Sequence, residues 1–286
     1  MIMNINSVED ILKYIYELDL QNSSFRYRGQ SNYKWTLKPS IHRYKSFKRY
    51  QTVEYERNLI LHKPKKPLPP LTITNFDIEW LMLSQHYGIP TRLLDWSTDI
   101  LTSLFFACNS EEQKDKDGAF FICNYNDYPV FTDYDCRISE YQKLSFVQTN
   151  IINPRLRAQS GCFMLWGHAQ IDKDKSTEEY DLWEYHKENG DDFFIKKIRI
   201  PSKKKLKILE ELDKVYCISE DNLYLNNSYL LNKYEQGFRN LAETVRLMTL
   251  YKTDADRLTT EEEKKARSFF RVDCRNMFKD TKNLSY

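Results

Sequence analysis

The chain has 286 residues, 41% of them hydrophobic and 14% aromatic, enough apolar material for a full-sized core and too much to remain solvated as a disordered chain. Its 43 basic and 41 acidic side chains nearly cancel, leaving +2; bulk charge therefore gives no sign of a dedicated nucleic-acid binder, although local patches keep nucleic acid open as a partner. No apolar run is long enough to span a bilayer, and MIMNINSVED has neither the basic start nor the apolar stretch of a signal peptide, so the expectation is a soluble, cytoplasmic protein without a membrane partner.

In chain order, NSVEDILKYIYELD opens with Ser7 as a helix cap and spaces Val8, Ile11, Leu12, Ile15 and Leu18 as one apolar face, which predicts an amphipathic first helix. SSFRYRGQ follows, with Phe25 and Tyr27 alternating against Arg26 and Arg28; a strand would pack the aromatics on one side and send both arginines to the other. KWTLKPSIHR reads as a second short extended piece that Pro39 breaks, residues 53–62 as a helix, and the four-proline run KPKKPLPP (63–70) as a surface connection. A helix is expected over about 76–87, capped by Thr74 or Asn75 and closed by Gly88 in the left-handed region. DILTSLFFACN is apolar nearly all round, the mark of a buried helix.

Strands are predicted at 118–125, 161–168 and 192–200, then a short helix KKKLKILEEL capped by Ser202, with SKKKLK as a solvated face. Arg155 and Arg157 alternate as the chain leads into a strand, so both would share one side. From Asn227 the pattern is helical, with a capping-box spacing at Thr260 and Glu263 and an apolar stripe through Leu241, Val245 and Met248. Strands that do not alternate regularly with helices favour an α+β fold with a mixed or antiparallel sheet, buried central helices and a helical C-terminal extension. The six cysteines, Cys108, Cys123, Cys136, Cys162, Cys217 and Cys274, form no Cys-x-x-Cys pair and have no histidine at zinc-ligand spacing, so they read as structural thiols and no metal site is expected.

Between its two helices, QHYGIPTRLLDWSTD (85–99) concentrates His86, Tyr87, Arg92, Asp95, Ser97, Thr98 and Asp99. Buried polar groups need partners, so such a cluster must close a hydrogen-bond network or line a cleft. Each residue also has a structural reading. Arg28 or Arg92 would pair with Asp95, His86 would cap its helix, and Trp96 would join the core. The density of the cluster favours a cleft that Arg28 reaches from the first strand.

Taken in order, FRYRGQ, QHYGIPTRLLDWSTDILTSLFFAC, DGAFFI, NPRLRAQSGCFMLW and KIRIPSKKKLKILEEL resemble the FRG domain family, whose Phe/Tyr-Arg-Gly motif is here Tyr27, Arg28 and Gly29. The resemblance covers roughly residues 23–235, an FRG-like domain, and leaves outside it the N-terminal helix within 1–22 and a helical extension over 236–286. The family implies a domain rather than a chemistry.

A weaker local resemblance links Tyr-Arg-Gly to the first motif of ADP-ribosyltransferases, in which the arginine holds the phosphate-ribose part of NAD; a planar, permanently charged guanidinium suits phosphate. That resemblance implies a hydroxyl motif, for which Ser97 and Thr98 are candidates, and a glutamate that stabilises an oxocarbenium-like centre. The chain departs from it here: no Glu-x-Glu or Gln-x-Glu stands on a predicted late strand, and the substitutes are Gln159, Glu220 and Glu178 or Glu179. The expected catalytic candidates are His86, Ser97 and Gln159. The expected ligand-binding residues are Arg28, Tyr87, Arg92, Asp95, Thr98 and Arg157, the ligand being a nucleotide or a nucleotide-containing molecule. No cofactor is firmly implied, and NAD enters as a possible substrate. The competing readings are an ADP-ribosyltransferase-like enzyme, a non-catalytic nucleotide or nucleic-acid sensor, and a nuclease or other hydrolase, which the scattered acids Asp95, Asp99 and Asp117 do not support because they show no metal-binding spacing.

Overall fold

A computed structural model of the chain describes residues 5–18, 24–44, 49–61, 77–86, 88–132, 137–147, 154–167, 195–225, 243, 247 and 258–266. Its strands are β1 (Phe25–Gln30), β2 (Leu93–Ser97), β3 (Gly118–Asn124), β4 (Val130–Phe131), β5 (Ser145–Val147), β6 (Gly161–Leu165) and β7 (Ile195–Ile200). Its helices are α1 (Val8–Leu18), α2 (Ser40–Tyr44), α3 (Arg49–Leu61), α4 (Asp77–His86), α5 (Ile100–Cys108), α6 (Pro154–Ala158), α7 (Ser202–Tyr216) and α8 (Glu220–Tyr224). The strands form one sheet in the order β4-β5-β6-β2-β1-β3-β7. Neighbours run antiparallel except the parallel pair β4 and β5, so the fold is α+β with a mixed sheet.

Strand alternation sorts the core. Phe25 and Tyr27 of β1, Phe120 and Ile122 of β3, and Ile198 and Ile200 of β7 pack under α1, α5 and α7. On the same face, Leu93 of β2 and Phe163 and Leu165 of β6 pack under α3 and α4, with Tyr55, Leu59, Trp80 and Leu81. The opposite face carries Leu94, Trp96, Phe121, Phe146 and Met164, covered by Leu37, Tyr128, Leu144 and Trp166. Two helical clusters thus share one face and leave a seam between them over the centre of the sheet. At that centre β1 and β2 pair at a single position, Tyr27 opposite Ser97. By contrast β1 pairs with β3 from Phe25 to Gln30, and β2 with β6 along its whole length.

Helix α5 is seated by two glycines. A Cβ on Gly29 would overlap the Ser103 carbonyl and the Ala107 amide, and one on Gly118 would overlap the Ala107 carbonyl, so the helix backbone lies directly on β1 and β3. Its N-terminus is capped by Asp99, whose carboxylate accepts from the Thr102 amide at 2.7 Å. At the end of α4, Gly88 adopts φ +77°, as expected for the residue that closes the helix. Thr74, Asn75 and the 63–70 connection lie outside the described residues.

Several sequence expectations are corrected. The stretch expected to bridge two helices contains β2, because Leu93, Leu94 and Trp96 are all buried; a central strand covered on both faces shows no alternation to read. The short extended piece expected in KWTLKPSIHR forms no strand, and the break expected at Pro39 is followed by α2 from Ser40. Arg155 and Arg157 stand on α6 rather than on the approach to a strand, which parts them: Arg155 is buried and Arg157 exposed.

Ser202 is the first residue of α7 and gives no side-chain cap; the cap comes from Asp117, whose Oδ1 accepts the Ser202 amide at 2.8 Å. Lys205, expected on a solvated face, is buried, its ammonium donating to the carbonyls of Ser31 and Gln113 at 2.6 and 3.0 Å. The C-terminal capping box falls one residue early, at Thr259 and Glu262. Residues 260–266 are helical, whereas Leu241, Val245 and Met248 lie outside the described residues.

Candidate functional site

Where β1 and β2 part, a cavity of about 390 Å³ opens, within the range of small-molecule sites, about 300–1,000 Å³. Residues from both sheet faces reach it. Tyr27, Gly29, Asp95 and Ser97 line it from the helical face, and Arg28, Gln30 and Trp96 from the other. Its walls come from Gln85 of α4, Ser103 and Phe106 of α5, Arg155 of α6 and Gln159 just after it, and Tyr224 of α8, with Trp35 from the loop after β1.

Arg28 bridges the gap. Its Nη1 donates to the Asp95 carbonyl at 2.6 Å and lies 3.6 Å from Asp95 Oδ2. The Asp95 carboxylate also accepts from Gln85 Nε2 at 3.0 Å, and Gln85 Oε1 in turn accepts from the hydroxyls of Thr91 (2.8 Å) and Ser40 (2.9 Å). The Arg28 side chain is 11% exposed and that of Asp95 51%. Burial pulls the Arg28 pKa down to about 10; Asp95 opposes the shift and Arg43 adds to it. The Arg28 Nε–H is buried and has no partner in the protein.

Arg92 shows what a satisfied buried guanidinium looks like in the same fold. Its Nε and Nη2 donate to the two carboxylate oxygens of Glu56 at 2.9 and 2.8 Å. Nη1 reaches the carbonyls of Trp166 (2.5 Å) and Tyr141 (3.2 Å), and Nη2 that of Ile138 (2.6 Å). This fork ties α3, β2 and the segments around β5 and β6 together. Arg92 therefore neither lines the cavity nor pairs with Asp95. Its partner stands 36 positions away in sequence, where no local spacing points to it.

The other expected residues divide. Ser97 lines the cavity, its hydroxyl donating to the Gln159 carbonyl at 2.9 Å. Gln159 lines it too and donates from Nε2 to the Leu223 carbonyl at 3.2 Å. Thr98 is exposed and held to the Ser160 carbonyl through its amide and hydroxyl, and neither Thr98 nor the exposed Arg157 lines the cavity. Tyr87 and the side chain of His86 lie outside the described residues, as do Glu178 and Glu179. Glu220 is exposed in the first turn of α8 and away from the cavity lining.

Sequence reasoning missed Gln30, Trp35, Gln85, Ser103, Arg155 and Tyr224. Gln30 and Gln85 could have been found, since they stand beside Arg28 and open the QHYGIPTRLLDW motif. Arg155 reaches the wall by donating from Nε to the Tyr224 carbonyl at 2.9 Å, a contact with no sequence signal. Asp99 and Asp117 serve as helix caps. Among the described residues no group of three or more His, Cys, Asp or Glu is placed to hold a metal ion. No described helix is long and apolar enough to cross a membrane.

Comparison with protein-family models finds the FRG domain over residues 23–116. That span, about a third of the chain, takes in β1, β2 and α2 to α5, and so both strands that open the cavity. The later motifs NPRLRAQSGCFMLW and KIRIPSKKKLKILEEL, with the α6 and α8 wall, stand outside it. No curated protein and no solved structure matches the chain.

Proposed function

We propose that the FRG domain of this chain, completed by the α6 and α8 wall, binds a small phosphate-bearing ligand of the nucleotide type, with the phosphate on Arg28. The contrast between the two buried arginines carries this reading. Arg92 uses all three of its nitrogens on protein acceptors. Arg28 faces a cavity with one hydrogen bond to a carbonyl, a loose approach to a half-exposed carboxylate, and a buried N–H without a partner. A buried cation in that state is short of negative charge and of acceptors, and a phosphate supplies both in the bidentate geometry a guanidinium prefers. Titration calorimetry of the full chain with nucleoside phosphates and pyrophosphate tests this. Wild type is expected to bind, Arg28→Lys to bind more weakly with its fold intact, and Arg28→Ala to lose binding; a wild type that binds none of them overturns the reading.

A second reading is turnover of NAD, and one observation favours it. Asp95 presents a half-exposed carboxylate to the cavity beside Arg28, a group able to stabilise positive charge at a ribose carbon as nicotinamide leaves. Release of free nicotinamide from NAD by wild type, lost in Asp95→Asn, is the expected result for an enzyme. Intact NAD after prolonged incubation refutes it and leaves the binding reading in place.

A further inference from the structure

We infer that the part of the cavity beyond Arg28 reads a planar base bearing an amino group, the ring stacked on Trp35 and the amino group donating to Gln30 Oε1. The inference rests on the proposal that Arg28 takes the phosphate, and it names what the other end of that ligand must be.

Gln30 lies two positions after Arg28 on β1, so both side chains leave the same face of the strand about 7 Å apart. The Gln30 side chain is buried, and its Nε2 donates to the Thr36 carbonyl at 3.4 Å. A carbonyl can only accept, so this contact orients the amide with its nitrogen toward the loop. Its Oε1 is left buried with no partner in the protein. Arg28 and Gln30, neighbours on one face of β1, both line the cavity, and each carries a buried polar atom without a partner in the protein. A buried acceptor is costly until a donor meets it, so the ligand needs an N–H or O–H there.

Trp35 identifies which kind of donor. It lines the cavity and is 41% exposed, although it sits on an anchored loop. Lys205 Nζ holds the Ser31 carbonyl, Asn32 Nδ2 donates to Gln113 Oε1 at 2.8 Å, the Tyr33 amide donates to the Asp117 carbonyl at 2.6 Å, and Gln30 holds Thr36. An indole kept partly in water by a loop tied at this many points is a pre-set flat surface, and an aromatic heterocycle is the ligand part that covers it best. A heterocycle whose exocyclic amino group faces Gln30 Oε1 satisfies both features. A carbonyl at the same ring position would set oxygen against oxygen.

The test uses the full chain and three probes, ADP, IDP and pyrophosphate, where ADP and IDP differ in carrying an amino or an oxo group on the six-membered ring. ADP is expected to bind about ten-fold tighter than IDP, the scale of one buried polar group left unmatched, and pyrophosphate more weakly than either. Trp35→Ala is expected to weaken ADP about ten-fold and leave pyrophosphate unchanged, whereas Arg28→Lys weakens all three. Gln30→Leu is expected to bring ADP and IDP together. IDP binding as tightly as ADP, or Trp35→Ala leaving ADP unaffected, overturns the base assignment while Arg28-dependent pyrophosphate binding keeps the anion reading. Failure of all three probes to bind wild type overturns both.

Discussion

The two buried arginines can be compared by the same truncation. Arg92→Ala removes a fork that satisfies both oxygens of Glu56 and three backbone carbonyls, and it takes the guanidinium from a carboxylate whose side chain is 2% exposed. Breaking a buried pair in this way costs about 3–5 kcal/mol. Arg28→Ala removes one charge-assisted hydrogen bond, to the Asp95 carbonyl. The Asp95 carboxylate stays half in water and keeps Gln85 as its donor. A bond of that kind contributes about 1.5–3 kcal/mol. Losing a cation that burial already disfavours offsets part of this, so the expected net loss is roughly 1–2 kcal/mol. Urea unfolding of the two variants beside wild type, without added ligand, measures the difference. Arg28→Ala as destabilising as Arg92→Ala would make Arg28 a structural clip between β1 and β2, and the ligand reading would lose the contrast on which it stands.

The glycine of the Tyr-Arg-Gly motif has a separate duty. Gly29→Ala pushes a methyl into the α5 backbone at Ser103 and Ala107 and should cost about 1–3 kcal/mol or more in urea unfolding; an unchanged midpoint would show that α5 is not seated as described. Burial pushes the Cys108 and Cys162 thiols up to about 12 and raises that of Cys123, while Cys217 is exposed. Alkylation at pH 8 with peptide mapping should therefore mark Cys217 and spare the other three, and rapid labelling of Cys108 in folded protein would contradict it. The same shift links stability to pH. The unfolded Cys108 thiol ionises from about pH 9 while the folded one keeps its proton, so its contribution is complete below pH 9 and is lost as pH climbs toward 12. The decline in urea midpoint between pH 8.5 and 10.5 should be smaller in Cys108→Ala than in wild type, and an equal decline would remove Cys108 as a cause.

What the sequence made legible followed from local chemistry. The first helix with Ser7 as its cap, the alternation of FRYRGQ, the left-handed Gly88 and the apolar α5 each depend on neighbours within a few residues, and the structure has them. The meeting of Arg28 with Asp95 across 67 positions was also reachable, because a charged residue on a strand and a polar cluster between apolar elements both need partners. The misses share a different cause. β2 lies at the centre of a sheet buried on both faces, so LLDWS has no two-residue rhythm to betray a strand. Arg92 looked like part of the site because its motif holds the site, but its side chain turns away to Glu56 on α3. Arg155, Gln159 and Tyr224 come together through α6 and α8, and PRLRA is too short for helical periodicity to outweigh the strand that follows.

In the proposed site, Asp95 is the residue at which binding and turnover would separate. Its carboxylate approaches Arg28 at 3.6 Å and lines the same cavity, so in the proposed site it would compete with the phosphate as well as help to hold the cation. Like charges placed within one cleft a few ångströms apart repel by roughly 1–3 kcal/mol at the intermediate dielectric of a half-exposed site. Asp95→Asn removes the negative charge and retains the backbone carbonyl that Arg28 uses and a side-chain oxygen for Gln85 Nε2, so the fold should survive. Affinity for pyrophosphate should therefore rise, by between about five-fold and a hundred-fold, with the larger gain at low salt where the repulsion is least screened. If the site also cleaves NAD, nicotinamide release should fall in the same variant, dividing tighter binding from lost chemistry at one residue. Weaker pyrophosphate binding in Asp95→Asn would sink this account, because it would mean that the carboxylate holds Arg28 in its productive position rather than contesting it.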